Sequence, residues 1–240
     1  MTGVQTCALP IWTADGKSIA YLAGDVPHRE VQERLAVGGQ PSKTVLTDKR
    51  TIEEVIFSPD GQWMVYRGGL TRGELRLFAR RIGTDSSLAL FKTEADVTSP
   101  ALSPDGHWLA YVSRESSTPE VYVSPFPNTT VVGRVQISAA GGQEPVWAHS
   151  GRELFYRSLG TTADTQMVMQ VKTGPAFVPG PRRALFPLVR IAESFAHQQY
   201  AVTHDDIHFI MIRYPEAEQA VQLSVIENVF GLLRAGVGKK

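Results

Sequence analysis

The sequence predicts an all-β fold, a β-propeller of four-stranded antiparallel blades, and three observations carry that prediction. The stretch ALSPDGHWLAYVS, residues 101–113, reads as strand, tight turn, strand. The same unit recurs, with Asp15, Asp60, Asp105 and Ser150 each 45 residues apart. A tyrosine follows six residues after each of them, at Tyr21, Tyr66, Tyr111 and Tyr156. A fixed period near 45, with four short strands per unit, is the signature of a propeller blade.

The turn chemistry is legible in SPDG. Pro104 presets φ for the second turn position, Asp105 suits the third, and Gly106 accepts positive φ without a Cβ penalty. Asp60 and Gly61 stand in a second SPDG, and Asp15 and Gly16 in TADG. Ser150 and Gly151 stand in an eroded AHSG, and Asp205 lies in register in THDD. Asp60 and Asp105 are expected to accept hydrogen bonds from nearby backbone amides and lock the turns.

The units fall near residues 12–50, 51–95, 96–140, 141–190 and 191–228. In the first, Trp12 opens mid-strand, followed by strands near 17–22, 31–37 and 44–46. The second has strands near 54–57, 63–67, 74–80 and 87–91. The third has them near 99–102, 108–112, 120–123 and 131–137. In the fourth they lie near 145–147, 154–157, 166–171 and 183–186, with a proline- and glycine-rich bend over 174–181. In the fifth they lie near 200–202, 207–213 and 221–226. Ser150 to Asp205 is 55 residues, so ten extra residues fall around 189–197. The tail, 229–240, has room for one or two helical turns over 229–234.

Burial explains why this pattern gives a propeller. Each sheet is sandwiched between neighbours, so its inner strands are apolar on both faces. Met64 and Tyr66 are expected to face one neighbour and Val65 the other. Trp63, Trp108 and Trp147 suit a gap about 10 Å across.

Composition excludes several classes. Lys plus Arg and Asp plus Glu are 24 each, giving no net charge. No long basic run offers a nucleic-acid footprint. No apolar run approaches the roughly 18 residues of a membrane helix. Cys7 is the single cysteine, so no disulfide framework forms. Residues 1–11, MTGVQTCALPI, resemble an in-frame translation of a sequencing adapter and are expected to be non-native. On that expectation the native N-terminus is missing. About five blades are present of an expected six or more. An arc with two open strand edges predicts an aggregation-prone polypeptide, and a sharp, reversible monomeric melt would count against truncation.

Candidate chemistry is sparse. The turn aspartates occur one per blade and do not pool as calcium ligands. His204 and His208 have the four-residue spacing of a helical zinc pair, but here the spacing crosses a turn and loses that geometry. GxSxG is absent, as are Walker A and the HRD and DFG kinase elements. Asn128-Thr129-Thr130 is a sequon with no assigned role. The loop with Arg190, Glu193 and His197 is the least repeat-like segment. No catalytic, cofactor or metal residue is therefore assigned.

ALSPDGHWLAYVS, IFSPDGQWMVYRG and IWTADGKSIAYLA resemble TolB-type, WD-like (PD40-type) propeller repeats. EVYVSPFP (120–127), GGQEPVW (141–147), GRELFYRS (151–158) and FIMIR (209–213) are similar, in that order, to the C-terminal propeller of bacterial membrane-anchored serine/threonine kinases. Residues 228–234 match that class's NWFEELK ending loosely. The resemblance implies a non-catalytic binding, sensing or scaffold domain, periplasmic or extracellular, in a parent that is anchored to the membrane. A protein, peptide or small molecule would be its partner, and neither nucleic acid nor membrane would contact this part. Two alternatives are a free periplasmic TolB-like scaffold and the propeller of a prolyl-oligopeptidase-type peptidase.

Overall fold

The computed structural model describes residues 11–26, 28–71, 74–92, 95–129, 133–192 and 198–214, and the backbone of Gln222–Ile226. The named elements among them are all β-strands, and no α-helix occurs. The first sheet holds β1 (Ile11–Trp12), β2 (Ser18–Ala23), β3 (Glu30–Leu35) and β4 (Lys43–Leu46). The second holds β5 (Thr51–Phe57), β6 (Trp63–Gly69), β7 (Arg76–Arg81) and β8 (Ser87–Ala89). The third holds β9 (Val97–Leu102), β10 (Trp108–Ser113), β11 (Glu120–Pro125) and β12 (Val135–Gln136). The fourth holds β13 (Gly142–Trp147), β14 (Glu153–Ser158), β15 (Asp164–Lys172) and β16 (Val178–Leu188). The fifth holds β17 (Tyr200–Val202), β18 (Phe209–Arg213) and β19 (Gln222–Ile226). Within each sheet, strands pair antiparallel in chain order. This is the up-and-down meander of a propeller blade.

Parity along the second strand of each sheet assigns the faces. Met64 and Tyr66 pack with Ala20, Leu22 and Val31 of the first sheet. Val65 packs with Val97, Leu109 and Tyr111 of the third. The rule repeats: Trp108, Ala110 and Val112 meet Leu154 and Tyr156, and Phe155 meets Phe209 and Met211. Each of these four apolar clusters joins consecutive sheets. Tyr66, Tyr111 and Tyr156 are 0%, 1% and 2% exposed. Tyr21, on the outer face of the first sheet, is only half-buried.

Several strand expectations need correction. The first strands of the second, third and fourth sheets begin three, two and three residues earlier than patterning suggests. Each carries a register shift opposite its partner, at Ile52/Glu54, opposite Ala110/Val112, and at Gln143/Val146. Ser99 and Glu144 take positive φ (51° each) at these bulges, which breaks the alternation that patterning relies on. The bend expected over 174–181 is shorter. Val178, Pro179, Gly180 and Pro181 already belong to β16, an outer strand where a missing proline N–H costs no ladder bond. Ile11, counted with the non-native residues, pairs with Ala20, because any extended residue preceding Trp12 can join that ladder. Residues 1–10, the expected outer-strand residues 131–132, and the helical turns over 229–234 lie outside the described residues.

Candidate binding site on the turn-side rim

The repeated turns are built by two side chains each. Asp60 Oδ1 accepts from the Gln62 amide (3.0 Å) and Asp105 Oδ1 from the His107 amide (3.1 Å). Two residues before each aspartate stands a hydroxyl that donates to that carboxylate, from Thr13, Ser58, Ser103 and Thr203. The same hydroxyl accepts from the amide that opens the next strand, as in Trp63 N–H to Ser58 Oγ at 2.9 Å. These hydrogen bonds outweigh any burial penalty and hold the Asp15, Asp60 and Asp205 carboxyls below the usual carboxylate range, Asp205 to about 2. The hydroxyls were overlooked in reading the motif, yet the repeated Ser or Thr two residues before each aspartate was the available signal.

The eroded fourth turn has Ala148 and Ser150 in those two places. Its amides are captured from the next sheet instead. Asp206, at φ 60°, accepts from His149 N–H at 2.6 Å and Ser150 N–H at 2.9 Å. The His149 ring lies 3.1 Å from the same carboxylate, and the His204 ring packs edge-on to His149 at 5.0 Å. His208 turns instead to Asp205, at 3.2 Å. The two histidines of THDDIH thus serve different contacts. Among the described residues no group of three or more His, Cys, Asp or Glu side chains could share a metal ion. Burial raises the Asp206 carboxyl, but the two backbone amides outweigh it and bring the carboxyl below its ordinary value. The stability it contributes is present above pH 4 and lost as the pH falls through its folded value. Asp206→Ala is expected to cost about 1.5–3 kcal/mol, as for loss of hydrogen bonds to a charged group, read as a shift in urea midpoint at pH 7 that shrinks as the pH falls below the ordinary carboxylate value.

The third residue after each turn aspartate projects into the gap with the following sheet. Trp63 fills its gap edge-on to Phe126 at 5.8 Å. Trp108 fills the next against Phe177 at 5.5 Å, and Trp147 meets the same ring at 6.2 Å. Phe177 comes from the turn between β15 and β16, which bends back over this rim. In the fourth sheet Glu153 holds the tryptophan's place, and a groove of about 1130 Å³ opens there. Glu153, Lys172, Ser150, Pro181 and Asp206 line it. Burial raises the Glu153 carboxyl, Arg183 lowers it, and Asp206 raises it further.

The opposite rim holds buried clusters of arginine and carboxyl groups that sequence reasoning missed. Arg157 lies 3.5 Å from Glu144 and 3.7 Å from Asp164, and its Nη2 donates to the Ala192 carbonyl at 2.9 Å. Arg67 repeats the arrangement 90 positions earlier, 3.8 Å from both Glu54 and Asp96. Each glutamate is met by a backbone N–H of the next sheet, Ser99 for Glu54 and Gln199 for Glu144. Glu54/Arg67 and Glu144/Arg157 share a spacing of 13 residues, which was the available signal. The surplus before the fifth sheet partly serves this rim: Ile191 bridges Arg213, and Ala192 supplies the carbonyl to Arg157. Glu193 and His197 lie outside the described residues.

Burial pushes the Glu54 carboxyl up to about 8, against the pull of Arg67 and the Ser99 amide. Between the ordinary value of 4.5 and about 8, the folded state therefore binds more proton than the unfolded one, and raising the pH lowers stability. This contribution is full below pH 4.5 and is lost as the pH rises through about 8. Urea unfolding is expected to show a falling stability over that window, at most about 1.4 kcal/mol per pH unit, with a flatter slope in Glu54→Gln. Equal slopes in the two proteins would refute the assignment.

No protein-family model matches the chain, and no curated protein is significantly similar to it in sequence. Solved structures do match. TolB from Acinetobacter baumannii superposes with a TM-score of 0.72 at 15% identity, over 92% of this chain and 52% of that one. An oligogalacturonate lyase from Vibrio parahaemolyticus gives 0.64 at 10% identity, over 91% and 62%. Prolyl oligopeptidase B from Galerina marginata gives 0.60 at 13% identity, over 92% and 33%. This chain spans about half the length of that TolB and a third of that peptidase. At these identities the likeness concerns the fold, and the fold is that of a TolB-type β-propeller.

Proposed function

We propose that this chain is a non-catalytic binding or scaffold propeller, the extracytoplasmic C-terminal part of a bacterial membrane-anchored serine/threonine kinase. One observation carries the reading. The four segments that resemble those kinase propellers become β11, β13, β14 and β18 with their flanking turns, and they pack as one wall. Glu120, which opens β11, accepts from Ser138 Oγ and from the Gly141 amide (2.9 Å), holding the turn that leads into β13. Glu144 in β13 pairs with Arg157 in β14, and Phe155 in β14 packs edge-on to Phe209 in β18 at 5.0 Å. The resemblance thus resides in residues that lock three consecutive sheets together.

The likeness to a solved TolB supports a second reading, a free periplasmic scaffold. Sequencing the uninterrupted genomic locus separates the two. A membrane helix and an HRD-containing domain, in frame before the codon for Trp12, are the expected result. A signal peptide directly before the propeller would give the scaffold instead. A reading frame continuing past Lys240 into GxSxG would overturn both in favour of a peptidase.

A further inference from the structure

We infer that the gap between the first and second sheets is a docking groove for a peptide segment bearing an aromatic side chain next to a lysine or arginine. The inference rests on the reading of this chain as a binding propeller and adds the place and the partner's chemistry.

The repeat itself shows what is different about this gap. Between the second and third sheets the turn-side rim is closed by Trp63 on one side and Phe126 on the other. Ser18 occupies the tryptophan's position in the first sheet. Ile82 occupies the position of Phe126: each follows the residue that pairs with its sheet's tryptophan, and each donates its N–H to an equivalent carbonyl, Gln62 or His107. Two aromatic side chains are thus replaced by smaller ones. Two lobes of about 440 and 430 Å³ open there, sharing Glu33, Phe57 and Ile82. Ile82 is 44% exposed and Phe57 half-buried, so the shared floor is apolar and reachable. Connected lobes of this size suit neighbouring side chains of one extended segment.

Charge selects the second side chain. The inner lobe is lined by Asp15, Glu33 and Asp60 and by no basic residue. Asp15 and Asp60 are held ionised by their turns. Glu33 stands between Ala20 and Lys43 on the face turned to the second sheet, and among the described residues it makes no hydrogen bond or ion pair, with Lys43 lining the outer lobe only. The outer lobe has Lys43 and Arg80, and Arg80 is engaged by Asp85 at 2.6 Å. A cation entering the inner lobe meets three carboxylates, while an anion is repelled.

The test titrates the full chain, by calorimetry at low and moderate salt, with the capped tetrapeptide Gly-Trp-Lys-Gly, its Trp-Glu counterpart and its Ala-Lys counterpart. The Trp-Lys peptide is expected to bind at least about tenfold more tightly than either counterpart and to weaken as salt rises. Glu33→Gln should weaken it about five- to tenfold without shifting the melting temperature. Ile82→Trp, which refills the gap, should abolish binding of all three peptides. Absence of binding by the Trp-Lys peptide overturns the inference, as does equal binding of Trp-Lys and Trp-Glu. Trp-Lys binding indifferent to Glu33→Gln overturns it too, and that variant stands if Ile82→Trp fails to fold. The genomic locus decides the parent protein independently of these results.

Discussion

Arg157→Ala is expected to cost about 3–5 kcal/mol of folding stability, the usual loss when one partner of a buried ion pair is removed. The Arg157 residue is 2% exposed, and its side chain closes the space between the fourth sheet and the segment that leads into the fifth. Truncation would leave Glu144, at 1% exposure, beside an empty volume without the guanidinium that faces it. It would also free the Ala192 carbonyl, and with it the anchor of residues 190–192. The measurement is urea unfolding followed by circular dichroism. The pair itself need not add net stability, because desolvation offsets most of its Coulomb attraction. Arg157→Met combined with Glu144→Gln is therefore expected to recover a large part of the single variant's loss. A single-variant cost under about 1 kcal/mol, the range of exposed pairs, would show that water reaches this site.

Phe177→Ala is the second large effect, at about 3–5 kcal/mol. Phe177 sits on the short turn between β15 and β16, yet its ring is buried between Trp108 and Trp147. It ties the tip of the fourth sheet's outer hairpin to the third sheet, where Thr173 also hydrogen-bonds Asp105. Truncation opens a cavity at the only point where both tryptophans share a contact ring among the described residues. Their emission should shift to the red as water enters, in step with the lost stability. Phe177→Leu keeps most of the volume and should cost less than about 1.5 kcal/mol. A normal urea midpoint with unshifted emission in Phe177→Ala would mean that the tip does not clasp the rim.

The inner hairpins were readable because their information is local. Proline, aspartate and glycine act within four residues, and a period of two sends Met64 and Tyr66 one way and Val65 the other. The outer strands were read less well. Residues 178–181 carry two prolines and a glycine, and local rules assign them to a bend. Pairing with β15 over Val171↔Pro179 and Lys172↔Val178 overrides that preference. The bulges at Ser99 and Glu144 were hidden for a related reason. A positive φ at a non-glycine residue is imposed by the surrounding sheet, not by its own side chain. The rim contacts were the least legible. Asp206 drew no assignment from its own turn, because its role depends on a neighbouring turn 56 residues away.

By itself, the sequence determined the blade: its turn, its period, its two apolar faces and hence the all-β propeller. These follow from residues acting on near neighbours and from burial that repeats every 45 positions. Tertiary structure alone decided which gap each aromatic fills, where Arg157 and Arg67 find their carboxylates, and which gaps remain open. Ser18 and Ile82 are unremarkable in their own strands. They matter because the fold sets them where Trp63 and Phe126 meet one sheet further on, and only the packing of two sheets converts two small side chains into a groove.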